Sequence, residues 1–282
     1  MRYVLLLLLA VAGCGQGGGE AIPLTLVRHQ TLPGLGAAQG VTYHRGLVYI
    51  YGDAETGVIR EYRLVVSPGP RLVETGRVIR LTRGGEDLLS HPTGLTFHPK
   101  YGCFLGDTFK RVGRIFRIDF NRALADGNLD NAVLGMTLDD AAVNGTRPEF
   151  VLHDGRWLLA TSDYGPRPNF VRFYDPVRLA TARRTSEPGV EVRRVPCGPF
   201  VQNLHFVKHS GRLVLIQNQV AGLRWRFTPV VDIGAADYRG LKPIDLPRPT
   251  DELEGGTTLG PTFAVYVSAM RDDNVTLAIR SR

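Results

Sequence analysis

QGVTYHRGLVYIYGD (Gln39–Asp53) contains two short β-strand patterns joined by a turn. Four later stretches share this pattern: TGLTFHPKYGCFLGD (Thr93–Asp107), PEFVLHDGRWLLATSD (Pro148–Asp163), QNLHFVKHSGRLVLIQN (Gln202–Asn218) and, more weakly, GTTLGPTFAVYVSAM (Gly256–Met270). The polar residues that end the first four stretches are Asp53, Asp107, Asp163 and Asn218, at steps of 54, 56 and 55 residues. A period this regular indicates a chain built of structural repeats.

Each hairpin is followed by two further strand patterns. Third strands are predicted at Gly57–Leu64, Gly113–Phe120, Asn169–Pro176 and Gly222–Phe227, and fourth strands at Arg77–Leu81, Ala132–Leu138, Val190–Val195 and Gly240–Leu246. Apolar and polar residues alternate in the third strands, as half-buried strands require. The sequence therefore predicts an all-β fold, a five-bladed β-propeller with four strands per blade. A sixth blade within Arg71–Ser90 remains an alternative.

The fifth repeat has no room for a fourth strand, because the chain ends at Arg282 soon after NVTLAI (Asn274–Ile279). An additional strand pattern, Ile22–Gln30, precedes the first repeat. We expect it to supply the missing outer strand and to close the ring, which removes an exposed sheet edge.

The N-terminus has the pattern of an export signal. Arg2 precedes the apolar run Val4–Ala12, which is too short to span a bilayer as a helix. The run ends in VAGC, which resembles the lipobox of bacterial lipoprotein precursors and implies cleavage before Cys14 and lipidation of that residue. We therefore predict a signal peptide at residues 1–13, a tether at 14–20 and a single propeller domain at 21–282. The resemblance implies a membrane-anchored envelope protein, in the outer membrane if the cell has two membranes.

The net charge is +7, and the basic side chains are 30 Arg and 4 Lys spread over all repeats. An exported protein is not expected to meet nucleic acid, and we expect a monomer. Besides Cys14, Cys103 and Cys197 remain. An oxidising compartment would permit a disulfide, but the two cysteines fall in different blades and need not approach each other.

Polar residues recur at one end of the predicted ring, where first strands begin and second strands end. We call this end the channel mouth. First strands begin with Gln39, Thr93, Glu149, Gln202 or Asn203, and Glu254, and second strands end with Asp53, Asp107, Asp163 and Asn218. His91 precedes a first strand, and His205 stands where other first strands have Thr or Val. These positions, apart from Thr93 and Asn203, are the predicted ligand-binding residues.

Two explanations fit the aspartate positions. Converging carboxylates could bind sugar hydroxyls, act as acid and base, or coordinate Ca²⁺ or another divalent cation. Alternatively, each Asp caps a tight turn through its own side chain.

The blade motifs GVTY (Gly40–Tyr43) and GLTF (Gly94–Phe97) resemble those of lactonase-like propellers, which include the gluconolactonase and NHL-type proteins. That resemblance implies a divalent metal held by Glu149, Asn218 and either Asp53 or Asp163. It departs from the family at Gln39, where the family begins its first blade with Glu. A weaker resemblance, carried by QGVTY (Gln39–Tyr43) and QNLHF (Gln202–Phe206), is to five-bladed glutaminyl cyclases.

These observations predict a lipid-anchored envelope propeller that binds a small molecule, a glycan or an envelope protein at its channel mouth. The alternative is a metal-dependent hydrolase of lactonase type. The sequence leaves open whether the protein is an enzyme.

Overall fold

Each repeat folds into an antiparallel sheet of four strands. The computed structural model describes residues 24–165, 168–208, 211–217, 225–230, 242–244 and 251–280. The first strands of the five sheets are β2 (Ala38–His44), β8 (Pro92–His98), β12 (Glu149–His153), β16 (Val201–Val207) and β20 (Leu253–Leu259). The second strands are β3 (Leu47–Gly52), β9 (Gly102–Phe109), β13 (Arg156–Thr161), β17 (Arg212–Gln217) and β21 (Phe263–Ser268).

The outer half of each sheet contains its third and fourth strands. The third strands are β4 (Val58–Val65), β10 (Val112–Ile118), β14 (Asn169–Tyr174), β18 (Trp225–Val230) and β22 (Val275–Arg280). The fourth strands are β5 (Arg71–Arg80), β11 (Val133–Asp139), β15 (Glu191–Cys197), β19 (Lys242–Ile244) and, for the fifth sheet, β1 (Leu24–Gln30).

The first strands form the inside of a closed ring. Each one contacts the first strands of both neighbouring sheets, in the cyclic order β2, β8, β12, β16, β20 and back to β2. The contact between the first and last blades is close: a side chain on Gly255 would meet the Gly40 backbone at 2.7 Å. The fold is therefore a five-bladed β-propeller, as predicted.

Residues 71–90 do not form a sixth blade. Arg71–Arg80 is the fourth strand of blade one, and the short strands β6 (Thr82–Arg83) and β7 (Glu86–Asp87) pair only with each other. The predicted fourth strand Arg77–Leu81 was thus too short, because the pairing with β4 begins at Arg71.

The predicted closing strand is confirmed. β1 pairs antiparallel with β22, from Leu24 opposite Arg280 to Gln30 opposite Val275. Asn274 fixes the chain just after β1, since it accepts a hydrogen bond from the Leu32 backbone N–H and donates one to the Leu32 carbonyl, both at 2.8 Å. The N-terminal segment therefore completes the last blade.

Burial differs between the inner and outer strands of a blade. Every residue from Val48 to Gly52 in β3 is buried, because both faces of an inner strand pack against neighbouring blades. In the outer strands β11 and β15, buried or half-buried residues alternate with more exposed ones. Clear alternation is thus confined to the rim, where one side of the sheet meets solvent.

In the residues that the structure describes, two short helices, α1 (Phe120–Asp126) and α2 (Pro176–Leu179), lie between third and fourth strands. Asp119 caps α1 by accepting from the Arg122 backbone N–H, and Gly127 ends it with a φ of 71°. No helix in the described part of the chain is long and apolar enough to cross a membrane.

Cys103 in β9 and Cys197 in β15 are both buried, free thiols, so the structure contains no disulfide between them. Burial raises the pKa of the Cys197 thiol to about 11, which disfavours the reactive thiolate.

Candidate functional site

A cavity of about 430 Å³ lies at the channel mouth. All five blades contribute to its lining: Ala37 and Gln39 from blade one, His91 and Thr108 from blade two, Asn144, Arg147 and Tyr164 from blade three, Gln202 from blade four, and Glu252, Glu254 and Ala269 from blade five. Its volume is within the range of small-molecule sites. The ring thus gathers residues that are far apart in sequence around one polar cavity.

Four of the predicted ligand-binding residues, Gln39, His91, Gln202 and Glu254, line this cavity together. Asp53 lies beside them: its Oδ2 is 3.4 Å from Gln39 Nε2 and 3.4 Å from His91 Nδ1. The starts of the first strands in blades one, four and five thus mark the mouth, whereas Thr93 and Glu149 are not part of its lining.

Asp53 and Asp163 also bind backbone amides. Asp53 accepts from the Ala37 N–H at 2.8 Å, and Asp163 accepts from the Val143 and Asn144 N–H groups at 2.7 and 2.8 Å. In each case the amide belongs to the segment that enters the first strand of the same blade. The two carboxylates therefore tie that segment to the end of the second strand, instead of capping their own turn.

Asp107 has a different environment. It is fully buried and forms an ion pair with Arg114, whose Nε donates to Asp107 Oδ1 at 2.9 Å. The guanidinium also packs over the Phe109 ring at 4.4 Å. Burial raises the pKa of Asp107 to about 6, and Arg114 opposes that shift. Asp107 therefore belongs to the interior of blade two and not to the cavity lining.

Glu149 and His205 form a second cluster, between the first strands of blades three, four and five. Glu149 Oε1 accepts from the Phe206 N–H at 2.9 Å and lies 3.8 Å from His205 Nδ1. His205 Nε2 accepts from the Thr258 N–H at 3.2 Å and lies 3.0 Å from the Thr258 hydroxyl. The ring proton of a neutral His205 is therefore on Nδ1, facing Glu149.

Glu149 should make stability depend on pH. Burial raises its pKa to about 7, although the Phe206 N–H, the Thr96 hydroxyl and the more distant Lys208 oppose the shift. The folded protein then keeps this proton while the unfolded chain releases it, so stability falls as pH rises from about 4.5 to 7.

We expect Glu149→Gln to remove this loss, because the amide oxygen can still accept from Phe206. In urea unfolding, the free energy of unfolding of the unmutated protein should fall by up to roughly 3 kcal/mol between pH 5 and pH 8. That of the variant should not show this fall. Glu55→Gln, at an exposed position, is the control. Equal pH dependence in all three proteins would refute the assignment.

Arg147, Asn144, Tyr164, Thr108 and Glu252 were not predicted from the sequence. Arg147 is only 3% exposed. Its Nε donates to the Gln202 carbonyl at 2.9 Å and its Nη1 to the Asn144 carbonyl at 3.2 Å. Its guanidinium also lies 5.7 Å from the Tyr164 ring centre. Burial lowers the pKa of Arg147 to about 10, and Asp163 and Glu254 oppose that shift. Arg147 is thus a fixed cation in the cavity lining.

Glu254 is a buried carboxyl group in the same lining, and its charge acts on Arg147. Gln202 Nε2 donates to Glu254 Oε1 at 3.1 Å. Burial, together with the neighbouring Glu252, raises the pKa of Glu254 well above its usual range. A protonated Glu254 can donate a hydrogen bond while Glu252 accepts one. The cavity therefore offers donors and acceptors side by side.

No three His, Cys, Asp or Glu side chains among the described residues are grouped to hold a metal ion. Of the predicted metal ligands, Glu149, Asp53 and Asp163 bind the backbone amides of three separate segments. Asn218 lies outside the described residues. A divalent cation stays a prediction.

Comparisons with protein families and with curated proteins find no match. Solved structures that resemble the chain include Raptor from Chaetomium thermophilum, at 14% identity and a TM-score of 0.39, over 86% of this chain and 20% of Raptor. Kuenenia stuttgartiensis hydrazine synthase has 12% identity and a TM-score of 0.45, over 90% of this chain and 59% of that one. The β-propeller domain of Myceliophteria thermophila Cps50 (Swd1) has 9% identity and a TM-score of 0.45, over 92% of this chain and all of that domain.

This chain thus spans about a fifth of Raptor and about three fifths of the hydrazine synthase chain. Identities this low carry no information on function. The lactonase-like propellers and the glutaminyl cyclases stay resemblances of blade motifs, and the propeller assignment depends on the strand topology.

Proposed function

We propose that the protein is a lipid-anchored envelope propeller that binds a small, hydroxyl-rich ligand, such as a glycan unit, at its channel mouth. One observation carries the proposal: side chains from all five blades converge on one polar cavity of about 430 Å³. Lipid attachment at Cys14 rests on the VAGC motif, in a segment outside the described residues.

The chemistry of the lining favours hydroxyl groups as the ligand's contacts. The amides of Gln39, Gln202 and Asn144 both donate and accept, as a sugar hydroxyl does. Glu252 and Glu254 add an acceptor and a donor, and Tyr164 adds an aromatic ring beside Arg147. Few apolar side chains face the cavity, which argues against a lipid-like ligand.

The rival proposal is a metal-dependent lactonase. It requires Glu149, Asp53, Asp163 and Asn218 to converge on one cation. In the described part of the chain, Glu149 belongs to the cluster with His205, while Asp53 and Asp163 hold the segments that enter blades one and three. We therefore favour binding over hydrolysis.

Calorimetric titration with a panel of mono- and oligosaccharides tests the proposal, with Gln202→Leu as the variant. This change removes the amide that contacts Glu254 but leaves the Gln202 carbonyl that holds Arg147. We expect the affinity for the preferred sugar to fall at least tenfold, because the sugar hydroxyl that binds the Gln202 amide would be buried without a hydrogen-bond partner.

The control is Asn121→Ala, an exposed position in α1, for which we expect unchanged affinity. Circular dichroism melts establish that both variants are folded. Failure of every sugar to bind, or equal affinity in Gln202→Leu, would reject a hydroxyl-binding mouth.

A further inference from the structure

The centre of the face opposite the channel mouth is formed by the turns between first and second strands, and we call these turns the base face. In the described part of the chain, these turns comprise residues 44–47, 98–102, 153–156, 207–208 with 211–212, and 259–263. Their sequences contain five Lys or Arg residues and a single acid, Asp154. The base face is therefore strongly basic.

Three of these cations, Arg45, Lys100 and Lys208, come from blades one, two and four, and all three are exposed. Their charges act on a shared region. Lys208 helps to lower the pKa of both His44 and His98, in each case after burial, and is joined by Arg45 at His44 and by Lys100 at His98. The cations thus lie around one opening of the channel and not on separate sides of the ring.

Apolar side chains accompany these charges. Tyr43 and Leu152, which directly precede two of the turns, are 38% and 42% exposed. Exposed aromatic and aliphatic side chains next to cations are typical of surfaces that rest on lipid headgroups.

The closing strand β1 begins on the base side of the ring. First strands run from the mouth to the base, so third strands also end at the base and fourth strands begin there. Leu24, the first residue of β1, pairs with Arg280 at the end of the third strand β22. The chain therefore enters the propeller from its base side.

Leu24 follows Cys14 by ten positions along the chain. Even fully extended, this stretch reaches at most about 35 Å. The seven residues of β1 make the blade roughly 23 Å deep from base to mouth, so a tether that ran back to the mouth would use most of its extended length. An anchor that entered the membrane on the mouth side would have to pass the whole ring, whereas an anchor on the base side would not.

We propose that the base face docks on the anionic headgroup surface of the membrane that holds the lipid anchor, so that the channel mouth points away from it. The proposal rests on the lipid anchor of the proposed function. The mouth itself, with Asp53 and Glu252 near its opening, carries acids that an anionic membrane would repel.

Vesicle co-sedimentation tests the docking separately from the anchor. The probe is the mature chain with Cys14→Ser and no acyl group, mixed with vesicles of phosphatidylcholine alone or with 30 mol% phosphatidylglycerol (about one lipid in three). We expect binding to the anionic vesicles only, weakening as salt is raised.

The triple reversal Arg45→Glu, Lys100→Glu and Lys208→Glu should reduce this binding more than tenfold. The matched control reverses three exposed cations in the mouth-side turns between second and third strands, Lys110, Arg111 and Arg271, and should change binding less than twofold. Equal loss in both triple variants, equal binding to neutral vesicles, or no binding would overturn the proposal.

The anchor has its own readout, which is incorporation of a fatty-acid analogue at Cys14 and its loss in Cys14→Ser. Label at Cys14 without binding of the acyl-free chain to anionic vesicles would leave the anchor standing and reject the docking face. Binding of the acyl-free chain to anionic vesicles without label at Cys14 would support the docking face and reject the anchor.

Discussion

A chain that begins at Gly34, and so lacks β1, is expected to lose its cooperative unfolding transition. The truncation exposes the whole outer edge of β22 and removes Leu32, which is only 5% exposed in the closed ring. It also leaves the buried Asn274 without its two hydrogen bonds to Leu32. We expect the free energy of unfolding to fall by at least about 5 kcal/mol, which is comparable with the total stability of many proteins.

Thermal and urea unfolding, followed by circular dichroism, measure this effect. The matched control begins at Ala21, which removes the predicted signal and tether but keeps β1. We expect the control to unfold in one sharp transition. An unchanged transition in the chain that begins at Gly34 would show that β1 is not needed to close the ring.

The second large effect is expected for Asp139→Ala. Asp139 is fully buried at the end of β11 and accepts hydrogen bonds from Arg172 at 3.1 Å and from Tyr174 at 2.8 Å. The Thr161 and Thr185 hydroxyls donate to it as well. This one carboxylate thus joins the outer strand of blade two to blade three.

Removing the carboxylate leaves the Arg172 guanidinium buried without a counter-charge. Loss of one partner of a buried ion pair typically costs about 3–5 kcal/mol. We expect the melting temperature to fall by roughly 10 °C. Glu55→Ala, at an exposed position with ordinary backbone geometry, should change stability by less than about 0.5 kcal/mol. Similar melting temperatures for the two variants would mean that Asp139 does not hold the blades together.

The sequence was a good guide to the fold because each blade repeats one hairpin at a nearly constant interval. Pairing of Ile22–Gln30 with the last repeat also followed from simple reasoning, since only that repeat lacked a fourth strand. The length of β5 was not predictable in the same way. Its first half, Arg71–Thr75, gains its pairing from β4, across a bulge between Arg60 and Tyr62 that no local pattern marks.

Apart from His91, which directly precedes a first strand, the site was predictable where it coincides with the repeat. Gln39, Gln202 and Glu254 occupy equivalent strand positions, so their convergence followed from the ring. Arg147 and Glu252 lie in the segments before first strands, which do not follow the repeat. Because Arg147 is one of 30 arginines, nothing in the sequence distinguishes it from the others.

Asp53 and Asp107 illustrate a second limit. Both follow glycine at the end of a second strand, yet only Asp107 has an arginine, Arg114, directly opposite in the neighbouring strand. That cross-strand partner draws Asp107 into the blade interior, whereas Asp53 stays beside the cavity. Whether such an aspartate is buried in the blade or lies beside the cavity depends on the residue that faces it in the next strand. That residue can be identified only when the strand register is known.

Hydrogen–deuterium exchange with and without the sugar preferred in calorimetry is the most direct test of the central claim, that five blades form one binding mouth. We expect slower exchange in segments from several blades at once, around residues 37–39, 144–147, 202–204 and 252–255, with little change at the base face. The same protection should occur when divalent cations are chelated. Protection confined to the base face or to one blade, or protection that requires a divalent cation, would contradict that claim.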